Sequence, residues 1–598
     1  MFQSFASISD PSFGAKRISA LREQLKLENL QGFLVPRADK YQGENVAPGD
    51  ERLAWLTGFT GSAGTCCALH GKAAIFIDGR YVLAVRGMVD LSVFEPVQVP
   101  QGNVSEWLTA ALPNGGDIGF DPWLHSVGDI AKLTGELTQH AIVLRPIDNL
   151  VDRIWHDRPA APLGKIVPHP IEYAGETHQS KRERIAATLT RQGQSAFVIT
   201  APESIAWLLN IRGSDVARTP VAHVFAILGD DAKATLFVEP AKVGADLRAH
   251  LGSEIALRDP GDFATTLDRL QGKIGIDDRS TPYWVTDRLK SSNAANDPCV
   301  SAMVQKNQTE LAGARSAHIR DGAAMANFLC WLSSDAPKGD QSEIDAVKRL
   351  EDFRRATGQL KDISFNTICG AGPNAAIIHY RVSETSNRTI KPGDVLWVDS
   401  GGQYLDGTTD ITRSLAVGPV SPDAARVFTL VLKGMIAISR ARWPVGLTGR
   451  DLDAFARQAL WQAGLDYDHG TGHGVGSYLD VHEGPQGISR RTTTPLEAGM
   501  ILSNEPGYYR EGAFGVRIEN LIVVEPATIP QGGDRPMHAF ETLTLAPIDR
   551  RMIVPDLLDR SETDWLNAYH ARVLAQIGPL VPAKTANWLR SACAALPR

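Results

Sequence analysis

VLWVDSGGQYLDGTTDITR, residues 395–413, is the stretch on which the reading of this 598-residue chain turns. An apolar, β-branched start leads into Asp399, a glycine-rich turn follows, and the chain returns through Asp410. On a hairpin, the eleven-residue spacing brings one carboxylate from each strand to the same end of a sheet, where the two can share a cation. Asp beside Gly is equally the ordinary chemistry of a turn, and on this stretch alone the two readings weigh evenly.

Two later segments shift the balance. DHGTGHGVGSYLDVHEGP, 468–485, holds His469, His473 and His482 within fourteen positions. Neutral imidazole is a good ligand for first-row metals and a good acid or base near neutral pH. The flanking glycines are expected to let the backbone come close to whatever the rings touch. NEPGYYREGAFGVRIEN, 504–520, supplies Glu505 before a Pro-Gly turn and Glu519 inside the apolar run VRIENLIVV. A carboxylate there is costly to bury unless it is paired or bound to a cation. Either Glu alone would pass as a surface residue. Arg517, two positions before Glu519, falls on the same strand face by the period-two rule and is expected to orient carboxylates rather than face solvent.

Asp399, Asp410, His473, Glu505 and Glu519 together form an oxygen-rich ligand set. It suits manganese, magnesium, iron or cobalt, with zinc still admissible. Four carboxylates brought together without metal would repel one another and take up protons. Two divalent ions offset four negative charges, so a dinuclear centre is expected.

Outward from these motifs, the chain divides. ERLAWLTGFTGS at 51–62 is echoed by ESIAWLLNIRGS at 203–214, with Trp55 and Trp207 in equivalent places. Each copy follows a helical stretch and an apolar strand, and each precedes another strand, AAIFID or ATLFVE. Two copies of one α/β unit, helix layered over sheet, are therefore expected in the first half. Pro-rich HDRPAAPLGKIVPHP, 156–170, reads as a boundary between them. A second boundary near 300–308 precedes TELAGARSAHIRDGAAMANFLCWL, a long helix with Asn307 and Thr309 as candidate caps. The resulting organisation is α/β and α+β multidomain: 1–160, 161–305, and 306–598 with a helical extension from about 549.

A formal charge of −7 argues against a nucleic-acid partner, which needs a basic stripe to displace counterions. The six cysteines lack paired C-x-x-C spacing. No apolar stretch reaches the roughly 18 residues of a membrane helix, and the N-terminus lacks a signal-peptide pattern, so a soluble cytoplasmic protein is expected.

VDSG…TTDITR, HGTGHGVGSYLDVHEGP and NEPGYY…GVRIEN resemble the metal-binding motifs of the aminopeptidase P branch of the pita-bread metallopeptidases. The resemblance extends to GPNAAIIHY at 372–380, to both N-terminal repeats, and to ETLTLAPIDRRMI and DWLNAYH, so nearly the whole chain is covered. It implies two creatinase-like α/β domains, then a pita-bread catalytic domain with internal pseudo-twofold symmetry. It further implies two divalent ions, usually manganese: Asp399 on one, His473 and Glu505 on the other, Asp410 and Glu519 bridging both.

The implied reaction removes the N-terminal residue from peptides with proline second, by attack of a metal-bridging hydroxide on the Xaa-Pro bond. Glu505 is expected to carry the proton, and His379, His469 and His482 to line the pocket as catalytic groups alongside Arg517. A homodimer is implied as well. Two alternatives stand beside this reading: a prolidase restricted to Xaa-Pro dipeptides, which two N-terminal repeats disfavour, and a non-catalytic pita-bread peptide-binding protein, which the five ligand types disfavour.

Overall fold

The repeated tryptophan motifs each accompany a six-stranded sheet, and the two sheets have the same strand order in the computed structural model, which describes residues 1–7 and 9–597. The chain forms two compact units, Ile8–Ala302 and Met1–Ser7 with Met303–Arg598.

In the first unit, helix α1 (Gly14–Leu27) leads into β1 (Gly32–Pro36), followed by β2 (Thr65–Leu69), β3 (Ala73–Ile77), β4 (Glu95–Gln98), β5 (Gly116–Phe120) and β6 (Ile142–Pro146). Their order across the sheet is β4-β3-β2-β1-β5-β6. The second copy repeats this with α2 (His178–Arg191), β7 (Ala196–Ile199), β8 (Phe225–Gly229), β9 (Ala234–Phe237), β10 (Ile255–Arg258), β11 (Ile274–Ile276) and β12 (Ser292–Ala294), ordered β10-β9-β8-β7-β11-β12. In both copies the first strand runs antiparallel to its neighbour on one side and parallel on the other. β1 and β7 are buried along their whole length, which is why they read as continuous apolar runs rather than alternating ones.

The short helices that carry Trp55 and Trp207, Arg52–Thr57 and Pro202–Leu209, end on Gly58 at φ 87° and Asn210 at φ 48°. Gly and Asn are the residues that accept this left-handed cap with least strain. The copies meet through equivalent segments: Trp123 stacks on Trp284 at 4.0 Å, and Ser126 bridges Pro282.

The second unit opens on α3 (Gln308–Asp335). Asn307 is its N-cap, accepting from the Thr309 and Glu310 amides while the Glu310 carboxylate returns to the Asn307 amide. Thr309 therefore lies in the first turn, not at the cap. α4 (Glu343–Arg355) starts on a second such box, Ser342 with Asp345. These helices precede an antiparallel sheet ordered β13 (Ile368–Ala371), β14 (Val395–Ser400), β15 (Ile411–Ala416).

The arrangement then recurs. α5 (Pro422–Ser439) and α6 (Gly449–Gln462), the latter boxed by Thr448 and Asp451, precede strands β16 (Gly472–Gly474), β17 (Glu483–Ile488), β18 (Ile501–Asn504), the hairpin β19 (Gly507–Arg510) and β20 (Phe514–Arg517), β21 (Asn520–Val524) and β22 (Phe540–Thr542). The larger sheet is ordered β17-β16-β18-β21-β22. The capping residues of the two second helices make equivalent isolated bridges, Ser342 to Thr389 and Thr448 to Pro495. Helices α7 (Arg560–Ile577) and α8 (Ala583–Ala592) close the chain.

The apolar side chains of α5, among them Phe428, Val431 and Met435, share one core with Val516 and Ile518 and with Val573 and Ile577 of α7. The first seven residues also belong to this unit. Gln3 exchanges hydrogen bonds with the Thr367 backbone at 3.2 and 2.8 Å, and Phe5 is buried in the core beneath α3 and α4.

Candidate metal centre

Asp399 sits one residue before the end of β14, opposite Thr412 on β15, and Asp410 immediately precedes β15. His473 is the middle residue of β16. Glu505 follows β18, its amide held by the Thr471 carbonyl at 2.8 Å. The apolar run around Glu519 is not one strand as its pattern suggested. β20 ends at Arg517 and β21 begins at Asn520, so Glu519 stands at the crossover from the hairpin to the larger sheet. There its amide is tied to the Thr412 carbonyl at 3.1 Å.

These backbone positions converge. Ligand atoms of Asp410, His473 and Glu519 all lie within 4.8 Å of one another. His473 Nε2 is 3.5 Å from Asp410 Oδ2 and 3.6 Å from Glu505 Oε1. Its Nδ1 lies 2.9 Å from the Gly474 carbonyl, the contact that puts the proton on Nδ1 and leaves the Nε2 lone pair aimed into the cluster. Asp399 joins through Arg517, whose Nη2 donates to Asp399 Oδ2 and whose Nε is 3.9 Å from Glu505 Oε2.

The charges explain what the pocket is suited to hold. Burial pushes the Asp399 carboxyl up to about 7, Arg517 pulling it down while Asp410 and Glu505 push it further up. Burial and the same acidic neighbours drive Glu519 well above the usual carboxylate range. Asp399 Oδ1 and Asp410 Oδ1 are buried with no hydrogen-bond partner among the described residues. Buried oxygens in that state fit a hard divalent cation, and the donor set of four carboxylates and one imidazole fits it as well. Asp399, Asp410, His473, Glu505 and Glu519 are the residues able to hold such ions.

Arg517 is 2% exposed rather than a surface residue. Besides Asp399 it donates to Tyr509 Oη at 2.7 Å, to the Ile378 carbonyl at 3.3 Å and to Thr412 Oγ1 at 3.3 Å, and it lies 4.2 Å over the Trp397 ring. Thr412 Oγ1 in turn donates to Glu519 Oε2 at 2.8 Å, so one hydroxyl links the guanidinium to a candidate ligand.

The three candidate pocket histidines are placed differently. His482 is exposed and meets the His473 ring edge-on at 4.3 Å. His379 lies half-buried in a turn, next to the Ile378 carbonyl that Arg517 holds. His469 is linked to Arg517 through Tyr509, its Nε2 being 2.9 Å from Tyr509 Oη. Tyr509 and Thr412 stood inside the quoted motifs but carried no separate signal, since neither binds a cation by its chemistry alone.

The glycines around His473 serve a different purpose from the one their pattern suggested. A Cβ on Gly472 would lie 2.0 Å from the Ser503 carbonyl, and one on Gly474 would lie 2.0 Å from Gln486 Nε2. They allow β16 to pack between its neighbours.

Comparison with known proteins agrees with this architecture. Residues 312–526 match metallopeptidase family M24, and 536–596 match the C-terminal region of peptidase M24. Residues 17–154 and 157–310 each match a creatinase/prolidase N-terminal domain. A probable Xaa-Pro aminopeptidase P of Coccidioides posadasii is 38% identical over 622 residues, covering 98% of this chain and 94% of its own. One from Laccaria bicolor is 38% identical over 603 residues, covering 97% and 93%. The crystal structure of an X-prolyl aminopeptidase from Caenorhabditis elegans, described as a cytosolic enzyme with a di-nuclear active site, superposes with a TM-score of 0.92 at 31% identity. It covers 98% of this chain and all of that one.

Proposed function

The chain belongs to metallopeptidase family M24, and on that premise we propose that it is a metal-dependent Xaa-Pro aminopeptidase, releasing the N-terminal residue from peptides with proline in second position. The observation that carries this reading is the convergence of Asp410, His473 and Glu519 within 4.8 Å in a chain whose full length parallels aminopeptidases so named.

Asp399, Asp410, His473, Glu505 and Glu519 would hold two divalent ions, manganese by preference. Ions at such a site polarise the scissile carbonyl and supply a nucleophile from water near neutral pH. Glu505 takes the proton from the attacking water and returns it to the prolyl nitrogen as the bond breaks. Ser503 Oγ, 3.3 Å from Glu505 Oε1, and Arg517 on the other oxygen hold that carboxylate in place. His482 and His379 orient the scissile carbonyl and the leaving group, and His469 acts through Tyr509 and Arg517 rather than on substrate.

Selection for proline has a physical basis. The Xaa-Pro bond is a tertiary amide without N–H, so a site that demands no donor there and offers a shaped pocket for the ring accepts what other aminopeptidases reject. A homodimer located in the cytoplasm completes the proposal. No helix among the described residues is long and apolar enough to cross a membrane.

The test compares Xaa-Pro-Yaa tripeptides with Xaa-Pro dipeptides in the presence of Mn²⁺ and after chelation. Release of Xaa from tripeptides, lost on chelation and restored by Mn²⁺, is the expected result. Turnover of dipeptides alone would identify a prolidase, and no turnover with no bound metal would identify a binding protein.

A further inference from the structure

Arg413 is 1% exposed and fully charged, yet none of its six hydrogen-bond acceptors is a carboxylate. Nε donates to the Pro547 carbonyl at 3.1 Å. Nη1 donates to the carbonyls of Thr412 at 2.8 Å and Glu519 at 2.6 Å. Nη2 serves Asn520 Oδ1 at 2.8 Å, the Ala546 carbonyl at 2.8 Å and Tyr569 Oη at 2.9 Å. A buried guanidinium is costly unless every donor is satisfied, so the fork is held to one geometry by groups from three places. Glu519 is a candidate ligand of the metal centre, flanked by Thr412 of β15 and Asn520 of β21; Ala546 and Pro547 belong to the segment after β22, and Tyr569 to α7.

Tyr569 is placed to set that geometry. Its hydroxyl accepts from Arg413 and lies 2.9 Å from the Ala546 carbonyl and 3.1 Å from the Thr544 carbonyl, while its ring stacks on Trp565 at 5.3 Å and 4°. Neighbouring contacts tie the same segment to α7 and to β15: the Ile548 amide donates to His570 Nε2 at 3.1 Å, and the Ala416 amide to Asp549 Oδ2 at 2.9 Å.

We propose that Tyr569 is a positioning residue for the metal centre, the C-terminal helix setting through Arg413 where the Glu519 carboxylate stands. The extension is thereby part of the enzyme's working site and not only a stabilising appendage. This rests on the reading of Asp410 and Glu519 as metal ligands.

Tyr569→Phe removes one oxygen and keeps the ring on Trp565, and Ile577→Ala, eight residues further along α7 in the buried core, serves as the control that disturbs the helix without touching the fork or the ring stack. Each protein is titrated with Co²⁺, whose visible absorption reports ligand geometry, and assayed on an Xaa-Pro-Yaa peptide. The wild type should bind two equivalents; if it does not, the dinuclear reading fails before the variant is considered. Tyr569→Phe should weaken Co²⁺ binding roughly tenfold or more, alter the absorption band, and lower kcat with KM within about twofold. Ile577→Ala should lower the melting temperature and leave the Co²⁺ constants alone. A Tyr569→Phe protein that melts earlier yet binds Co²⁺ with the wild-type spectrum and constants would overturn the proposal. Should that variant not fold, Arg413→Lys is read by the same criteria, and loss of folding in both assigns Tyr569 to stability alone and overturns it too.

Discussion

Stripped of metal, the protein should become more stable, not less, when Asp399 is replaced by Asn. In the folded chain burial holds the Asp399 carboxyl at about 7, against an ordinary value of 3.8. Between those values the folded state keeps a proton that the unfolded chain has released, so stability falls as pH rises from about 4 through about 7. At 1.36 kcal/mol per unit, the stability lost through this one group, relative to pH 3 where both states are protonated, is about 2 kcal/mol at pH 5 and about 4 kcal/mol at pH 7.5.

An amide carries no such cost, and its oxygen still accepts from Arg517, which keeps Glu505 within 3.9 Å as a counter-charge. With chelator present, urea unfolding of Asp399→Asn should show a gain of that order near pH 7.5, a smaller one near pH 5, and none near pH 3. Saturating Mn²⁺ should reverse the order, because the carboxylate then acts as a ligand and stabilises in proportion to the ion it holds. A chelated Asp399→Asn protein less stable than wild type at pH 7.5 would refute the reasoning. So would a chelated wild type whose stability is flat between pH 5 and 7.5.

Three further outcomes follow from the same geometry. Asp410→Asn should lower kcat/KM on Xaa-Pro-Yaa peptides by more than about 100-fold, beyond the span of changes made outside the ligand set, in steady-state assays with excess Mn²⁺. Tyr509→Phe, which deprives Arg517 of one buried acceptor, should destabilise by about 1.5–3 kcal/mol and leave two-ion stoichiometry intact, as calorimetry with metal counting would show. Lys306→Met strands Glu483, whose carboxyl burial has already pushed up to about 7, and should cost about 3–5 kcal/mol near neutral pH. The double variant with Glu483→Gln should recover most of that loss in urea titrations.

Part of this was legible from residues alone. Glu519 stood out because a carboxylate inside VRIENLIVV is expensive to bury without a partner or a cation, and the structure does bury it, at 1% exposure, although the run breaks into two strands around it. The echo of ERLAWLTG in ESIAWLLN announced two copies of one unit, since a left-handed cap after the tryptophan helix recurs with Gly58 and Asn210. Other features left no trace. Nothing in MFQSFAS marks it as packing beneath α3 and α4, because that depends on Thr367 and Glu351 waiting far along the chain.

The sequence by itself determined the kinds of residue available and their local order: strand, turn, carboxylate, imidazole, and the repeat that precedes them. Those are properties of neighbouring side chains and need no third dimension. Tertiary structure alone decided which carboxylate oxygens have no partner among the described residues, that Arg517 faces Asp399, and that an arginine three residues past Asp410 is held by a tyrosine in the last long helix. Such pairings join positions more than a hundred residues apart, and their strength comes from exclusion of water, which only the assembled core provides.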